Sequence, residues 1–321
     1  MLSISIVSMG DQTYLENCVS SILRYTTNID YEILINAYKY TDSNYWRIIE
    51  TFGQDSRINI IRTDGIKGYS ENHNENLKRA NGEIYCILND DTYIRSNVFK
   101  ICYDYIINNN QIGALCPILL NWDGSFQLGY RKRITPLRFI IGECKLDKLS
   151  PLLQTVFDKK RFYFLFKDRK VIELHEGTGA CFFVKRRVLK SGLLDTQYFL
   201  SPDDINWSHK ILKQGFKIVL LTDAKVYHKG HHTLNRYFPA SMPSAVQGVF
   251  DLFKKEGFKY LSIYRSLEIV ICFQLFLYNW LMYKLFKKER FYLLYKARLN
   301  TVKTLLHKFN NSKDVFEKFL N

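Results

Sequence analysis

The chain has 321 residues, a net charge of +15, and 47% hydrophobic and 15% aromatic residues. This length and composition can bury a core large enough for one substantial domain plus an appendage, which excludes a disordered tail. The positive balance points to an anionic partner, whether nucleic acid, an acidic membrane surface or a phosphorylated substrate, and by itself chooses none of them. The seven cysteines form no Cys-x-x-Cys pair and stand mostly in apolar surroundings. Buried free thiols of that kind suit a reducing, cytosolic compartment.

Met1 to Val7 is too short, and lacks the basic start, of a signal peptide, so the chain is expected to begin with a core strand over Leu2 to Ser8. Helical spacing follows through Leu15, Cys18, Val19, Ile22 and Leu23. Tyr31 to Ile35 reads as a strand, Tyr45 to Phe52 as a helix and Ile58 to Ile61 as a strand. A polar loop through Gly65 and Gly68, a helix near Asn72 to Arg79 and a strand from Glu83 to Leu88 come next. Strands and helices alternating at this interval predict βαβ units around a mainly parallel sheet. Neither Gly-x-Gly-x-x-Gly nor Gly-x-x-x-x-Gly-Lys-Ser/Thr is present, so dinucleotide and P-loop sites lose their usual support.

The apolar run ending at Leu88 stops abruptly on Asn89-Asp90-Asp91-Thr92. Open α/β sheets bind ligands at such strand ends, and adjacent carboxylates beside an amide are hard oxygen ligands for Mg²⁺ or Mn²⁺. A solvated turn is the plain alternative. Further on, Asp203-Asp204-Ile205-Asn206 opens a helical pattern. A carboxylate there is either an ordinary cap or a general base held as an anion by the free N–H groups.

These stretches, taken together, resemble the successive blocks of the family 2 glycosyltransferases, of a rhamnosyltransferase-like kind. The matching blocks are Ser3 to Ser8, Glu32 to Asn36 with Thr41-Asp42, Gly68 to Asn74, and Gly82-Glu83 leading to Thr92. The resemblance implies the GT-A fold, a nucleotide-diphosphate sugar donor and a divalent metal, Mn²⁺ or Mg²⁺. It makes Asp91 a metal ligand and places Asn89 and Asp90 near the ribose and diphosphate, with Ser8, Asn36, Gly68 and Asn72 also on the nucleotide-sugar side. Asn36 stands where the family commonly has an Asp against the base, and Ser8-Met9-Gly10 where it often has Thr-Tyr-Asn, so base identity stays open.

Gly177-Thr178-Gly179-Ala180-Cys181 resembles the strand lining the family's acceptor side, although small residues equally indicate tight packing. Asp204 falls at the catalytic Asp, Asp203 at the preceding Glu and Asn206 at the final Asp of the family's acidic block. His228, in Ala-Lys-Val-Tyr-His, falls at the position that closes the metal site opposite the acidic motif, and His231 and His232 are expected in a loop near the phosphates.

The expected division is a catalytic domain over 1–240, with a nucleotide-sugar half (1–115) and an acceptor half (116–240) carrying a basic, aromatic insertion at 131–170, followed by a helical region over 241–321. From Asp251 onward there are 14 Lys+Arg against 6 Asp+Glu, a charge of +8. The 15 residues from Ile269 to Tyr283 carry no charge, fewer than the ~20 that span a bilayer. An interfacial helix with Phe273, Phe276, Trp280 and Phe286 toward lipid fits that length, and a soluble hairpin packed on the catalytic domain is the alternative.

These readings lead to an inverting enzyme with a glycan or lipid-linked acceptor. It is expected in the cytoplasm, peripheral at the inner face of the cell membrane, with an anionic membrane surface as a partner and no nucleic acid, since no groove-reading motif accompanies the charge. A homo-oligomer is left open. The competing readings are a protein that kept the fold without the chemistry and a nucleotidyltransferase.

Overall fold

The computed structural model describes residues 1–10, 12–127, 133–144, 169–230 and 237–320. The chain forms two units, one of segments 1–132, 160–195 and 204–230, the other of 133–159, 196–203 and 231–321. Most of the 131–170 stretch, and both His231 and His232, lie outside the described residues.

The first unit is built on a nine-stranded mixed sheet. Strands β1 (Leu2–Ser8), β2 (Tyr31–Tyr38), β3 (Ile58–Thr63) and β4 (Ile84–Asn89) run parallel in the order β3-β2-β1-β4. The apolar runs of β1, β2 and β4 are buried on both faces, as a parallel sheet covered by helices requires, while β3 at the edge is mostly half-buried. Helix α1 (Gln12–Tyr25) buries Leu15, Cys18, Val19 and Ile22, the face its spacing predicts. Helices α2 (Asp42–Phe52), α3 (Tyr69–Leu77) and α4 (Val98–Asn108) complete the alternation.

Register decides what the sheet presents. Val7 lies beside Asn36 on one side and Asn89 on the other, so the strand ends carrying Ser8, Asn36 and the acidic motif come out side by side. The two-residue strand β5 (Thr92–Tyr93) folds back antiparallel on β9 (Lys217–His228), pairing Thr92 with His228. Two further strands, β6 (Ile112–Leu120) and β8 (Cys181–Lys185), sit between β4 and β9. Strand β8 is antiparallel to both β4 and β6, and β7 (Val171–Leu174) pairs with β9.

The second unit is helical: α5 (Pro136–Glu143), α7 (Phe238–Lys255), α8 (Leu261–Phe286), α9 (Glu289–Leu306) and α10 (Ser312–Phe319). Val246, Val249, Phe250, Phe253 and Leu305 form its apolar centre. The side chain of Asn311 caps α10 by accepting from the Lys313 and Asp314 N–H groups. Helix α8 is 26 residues long, well beyond the uncharged run. The helix continues through Arg265 and Glu268 because both find partners inside the unit: Arg265 donates to the Leu305 and Thr304 carbonyls, and Glu268 accepts from the Cys272 thiol.

Candidate active site

The β5–β9 pairing brings the acidic motif against His228. Nε2 of His228 lies 3.2 Å from Asp91 Oδ1 and 3.2 Å from Asn89 Nδ2. Both side chains are largely buried, and among the described residues Asp91 Oδ1 has no hydrogen-bond donor. Oδ2 accepts from the Gly230 N–H at 3.0 Å. Gly230 has φ +77, a left-handed conformation that aims its N–H at the carboxylate without steric cost.

The far side of the imidazole is held by Gln127. Its Nε2 donates to the His228 carbonyl and to Asn121 Oδ1, both at 3.0 Å, which fixes the amide orientation and leaves Oε1 facing His228 Nδ1 at 2.7 Å. Oε1 can only accept, so Nδ1 carries the hydrogen and Nε2 presents its lone pair. A lone pair and a buried carboxylate oxygen then face each other 3.2 Å apart. A divalent cation satisfies both, and a histidine held by an outer amide is the usual form of such a ligand. Burial works to raise the Asp91 carboxyl, while the His228 ring, whenever Nε2 carries a proton, and the Gly230 N–H lower it below its ordinary value.

Asp91 and His228 therefore fit a metal as a two-ligand, open site. Among the described residues no group of three or more His, Cys, Asp or Glu side chains converges, so other oxygens would have to complete the shell.

The remaining predicted positions fall into three groups. Ser8 Oγ donates to Asp90 Oδ2 at 2.6 Å and contacts the Tyr40 hydroxyl at 2.7 Å, joining the ends of β1 and β4. Asn36 and Asn72 are buried and bonded to one another, with the single Thr63 hydroxyl hydrogen lying between both amide oxygens, at Oγ1 distances of 2.7 Å to Asn36 and 3.0 Å to Asn72. Asn72 also donates to the Gly68 carbonyl, and the Tyr38 hydroxyl donates to the Gly65 carbonyl. These contacts make the amides braces for the loop entering α3, where the Gly68 N–H is capped by Glu71.

Asp204 lies on helix α6 (Asp203–Lys213). Its Oδ2 accepts from the Gly179 N–H at 3.1 Å and its Oδ1 from the Ile205 N–H at 2.8 Å. Asp203 is buried at the first position of the same helix, and Asn206 Nδ2 is buried without a hydrogen-bond partner. The Ala180 carbonyl accepts from the Asn89 N–H, so backbone groups of Gly179 and Ala180 connect to Asp204 and to the acidic motif. Sequence reasoning missed Gln127, Tyr40 and Thr63. Gln127 follows Phe126 in a polar turn and carries no local signal, and its part depends on β6 lying beside β9.

The sequence matches the family model described as Glycosyl transferase family 2 over residues 3–193, more than half of the 321-residue chain. No curated protein sequence matches significantly. Among solved structures, a mannosyltransferase from Pyrobaculum calidifontis, PcManGT, in complex with GDP-Man and Mn²⁺, is similar with TM-score 0.56 and 14% identity, covering 94% of this chain and 85% of that one. GalNAc-T7 with UDP, GalNAc and Mn²⁺ is similar with TM-score 0.52 and 16% identity, covering 71% of this chain. The chain spans 43% of the length of that protein. At such identities the likeness is one of fold, and the fold is GT-A. The strand ends aligned by register, with Asn89-Asp90-Asp91 at their centre, all fall within the matched residues, and the chain belongs to glycosyl transferase family 2.

Proposed function

We propose that the protein is an inverting, metal-dependent glycosyltransferase that moves a sugar from a nucleotide-diphosphate sugar to a hydroxyl of a glycan or lipid-linked acceptor. The product belongs to surface polysaccharide synthesis, and the enzyme works in the cytoplasm at the inner face of the cell membrane. The observation that carries this reading is the Asp91–His228 pair, an unsatisfied buried carboxylate oxygen against an imidazole lone pair oriented by Gln127. Family membership and two structural neighbours with nucleotide and Mn²⁺ in their complexes support it.

Asp204 acts as general base. Two backbone N–H groups orient its carboxylate, one on each oxygen, which holds it as an anion able to take a proton from the acceptor hydroxyl. The hydroxyl oxygen bonds to the anomeric carbon as the bond from that carbon to the diphosphate breaks on the opposite face, and the proton passes to Asp204. A single displacement inverts the anomeric centre and needs no covalent enzyme intermediate. Asp91 and His228 would hold Mn²⁺ or Mg²⁺, which when bound would supply positive charge to stabilise a departing diphosphate. Asp203 supports the helix start, and Asn89, Asp90 and Ser8 shape the nucleotide side.

The test is release of nucleoside diphosphate from a panel of nucleotide sugars with Mn²⁺, with and without EDTA. Metal-dependent release from one donor is expected. Release of pyrophosphate or nucleoside monophosphate instead indicates a nucleotidyltransferase, and no release from any donor favours a binding protein.

A further inference from the structure

Helix α8 buries polar groups on its packed face while leaving leucines exposed on the other. The three residues it buries are Glu268, Cys272 and Asn279, and Arg265 also turns inward to donate to the Leu305 carbonyl at 2.7 Å. Arg298 of α9 lies between Glu143 of α5, at 2.6 Å, and Glu268, at 4.0 Å. Facing away from these helices is a strip of Ile263, Leu267, Val270, Leu277, Leu281 and Leu285, each 44–64% exposed and interrupted by the exposed Gln274. The packed face also holds Ile269, Phe276 and Tyr283, so the helix is apolar on the side toward its neighbours and on the side away from them. In water the hydrophobic effect disfavours leaving so many leucines exposed, and an apolar strip of this length marks a surface made for an apolar partner.

Both ends of this strip are basic. Lys254, Lys255 and Lys259 precede the helix and Lys284, Lys287, Lys288 and Arg290 close it, all exposed; Glu256 and Glu289 each offset one of these charges, and the one acid within the helix, Glu268, is fully buried. Lys284 Nζ lies over the Trp280 ring at 5.7 Å and Lys287 Nζ over Tyr283 at 5.6 Å, amines beside aromatic rings as at a lipid headgroup level. A second copy on this face would meet lysines with lysines in either direction, whereas an anionic leaflet complements both ends. The helix is long and apolar enough to cross a bilayer. Helix α9 packs along it, however, and crossing would take Lys296, Arg298 and Lys303 of α9 into the hydrocarbon, a large cost.

We infer that α8 lies in the plane of an anionic bilayer, with the Ile263-to-Leu285 strip in the acyl region, the basic clusters at the headgroups and α9 on the side away from lipid. This specifies the membrane contact of the proposed function but stands on the helical unit alone, so vesicle binding without donor hydrolysis, or the reverse, separates the two.

Trp280, 42% exposed on α8, serves as the reporter. Full-length protein is mixed at low salt with phosphatidylcholine vesicles, with or without phosphatidylglycerol, and with vesicles containing bromine-labelled acyl chains. Sedimentation with the anionic vesicles is expected, with fluorescence quenching by bromine that W280F removes. L277E and L281E alter residues already exposed, so folding is preserved, and each is expected to lower vesicle partitioning about tenfold or more, the loss of one buried leucine. Failure to bind at low salt, binding without Trp280 quenching, or resistance to alkaline carbonate extraction as for a spanning helix would each overturn the inference. So would a dimer that L277E dissociates in a protein that ignores vesicles.

Discussion

Replacing Gln127 with alanine removes the acceptor that holds the His228 Nδ1 hydrogen at 2.7 Å, together with the two amide N–H bonds to the His228 carbonyl and Asn121. The ring is then free to rotate and to place its hydrogen on Nε2, the nitrogen that would bind metal. Loss of an outer hydrogen bond to a histidine ligand typically lowers metal affinity ~10–100-fold. That corresponds to ~1.4–2.7 kcal/mol, in line with about 1 kcal/mol for the bond to the ring plus the lost tautomer preference. Isothermal titration with Mn²⁺ in the presence of nucleoside diphosphate measures it directly, and a thermal melt without metal separates a folding defect from a weaker site. If folded Gln127→Ala bound Mn²⁺ within about twofold of the parent, the tautomer argument, and with it the role of Nε2 as a metal ligand, would fail.

Asp91→Ala is expected to abolish Mn²⁺-dependent binding of nucleoside diphosphate, and His228→Ala to weaken it less, by calorimetry with and without EDTA. Asp204→Asn keeps the hydrogen bonds at the start of α6 but removes the basicity, so donor affinity should hold while transfer falls ~10²–10⁴-fold. Wild-type turnover at saturating acceptor would move the base elsewhere. In the helical unit, burial, aided by the nearby Glu143 charge and opposed by Cys272 and Arg298, raises the Glu268 carboxyl from 4.5 to about 7. The native state therefore keeps this proton after the unfolded chain has lost it, so its stabilising effect is full below about 4.5 and lost as pH rises through about 7. Glu268→Gln should flatten that fall and gain at most about 3 kcal/mol at pH 8, read from denaturant melts across pH; an unchanged pH profile would count against the buried carboxyl.

What could be read in the sequence was what depends on short-range periodicity. The alternation of strand and helix from Leu2 to Asn89 was legible because each apolar run is bounded by polar turns, and β1 and β4 match their expected spans within a residue at each end. Long-range pairing was not legible. Gln127 and His228 are 101 residues apart and meet only because β6 and β9 run side by side. Asn36 reads as a strand-end group facing a ligand, yet Thr63 and Asn72 occupy its amide. Helix α8 outran its uncharged segment for the same kind of reason: the partners of Glu268 and Arg265 include residues of other helices.

The two glycines before β8 show how the sheet sets the spacing of the proposed chemistry. A Cβ at Gly177 would come within 2.7 Å of the Phe182 ring, and one at Gly179 within 2.7 Å of the Tyr69 hydroxyl, which itself donates to the Gly179 carbonyl. Close packing thus accounts for both small residues. It also lets the chain pass near enough for the Gly179 N–H to reach Asp204 while the next carbonyl, that of Ala180, takes the Asn89 N–H. Asp204 and the acidic motif are in this way referenced to backbone groups of two neighbouring residues, Gly179 and Ala180, not to flexible side chains. Their separation follows from the antiparallel pairing of Leu88 with Cys181, which a mainly parallel sheet provides only by admitting β8 in the opposite direction. Displacement at an anomeric carbon is sensitive to misplacement of about 1 Å. That sensitivity supplies a physical reason for placing an antiparallel strand directly beside β4.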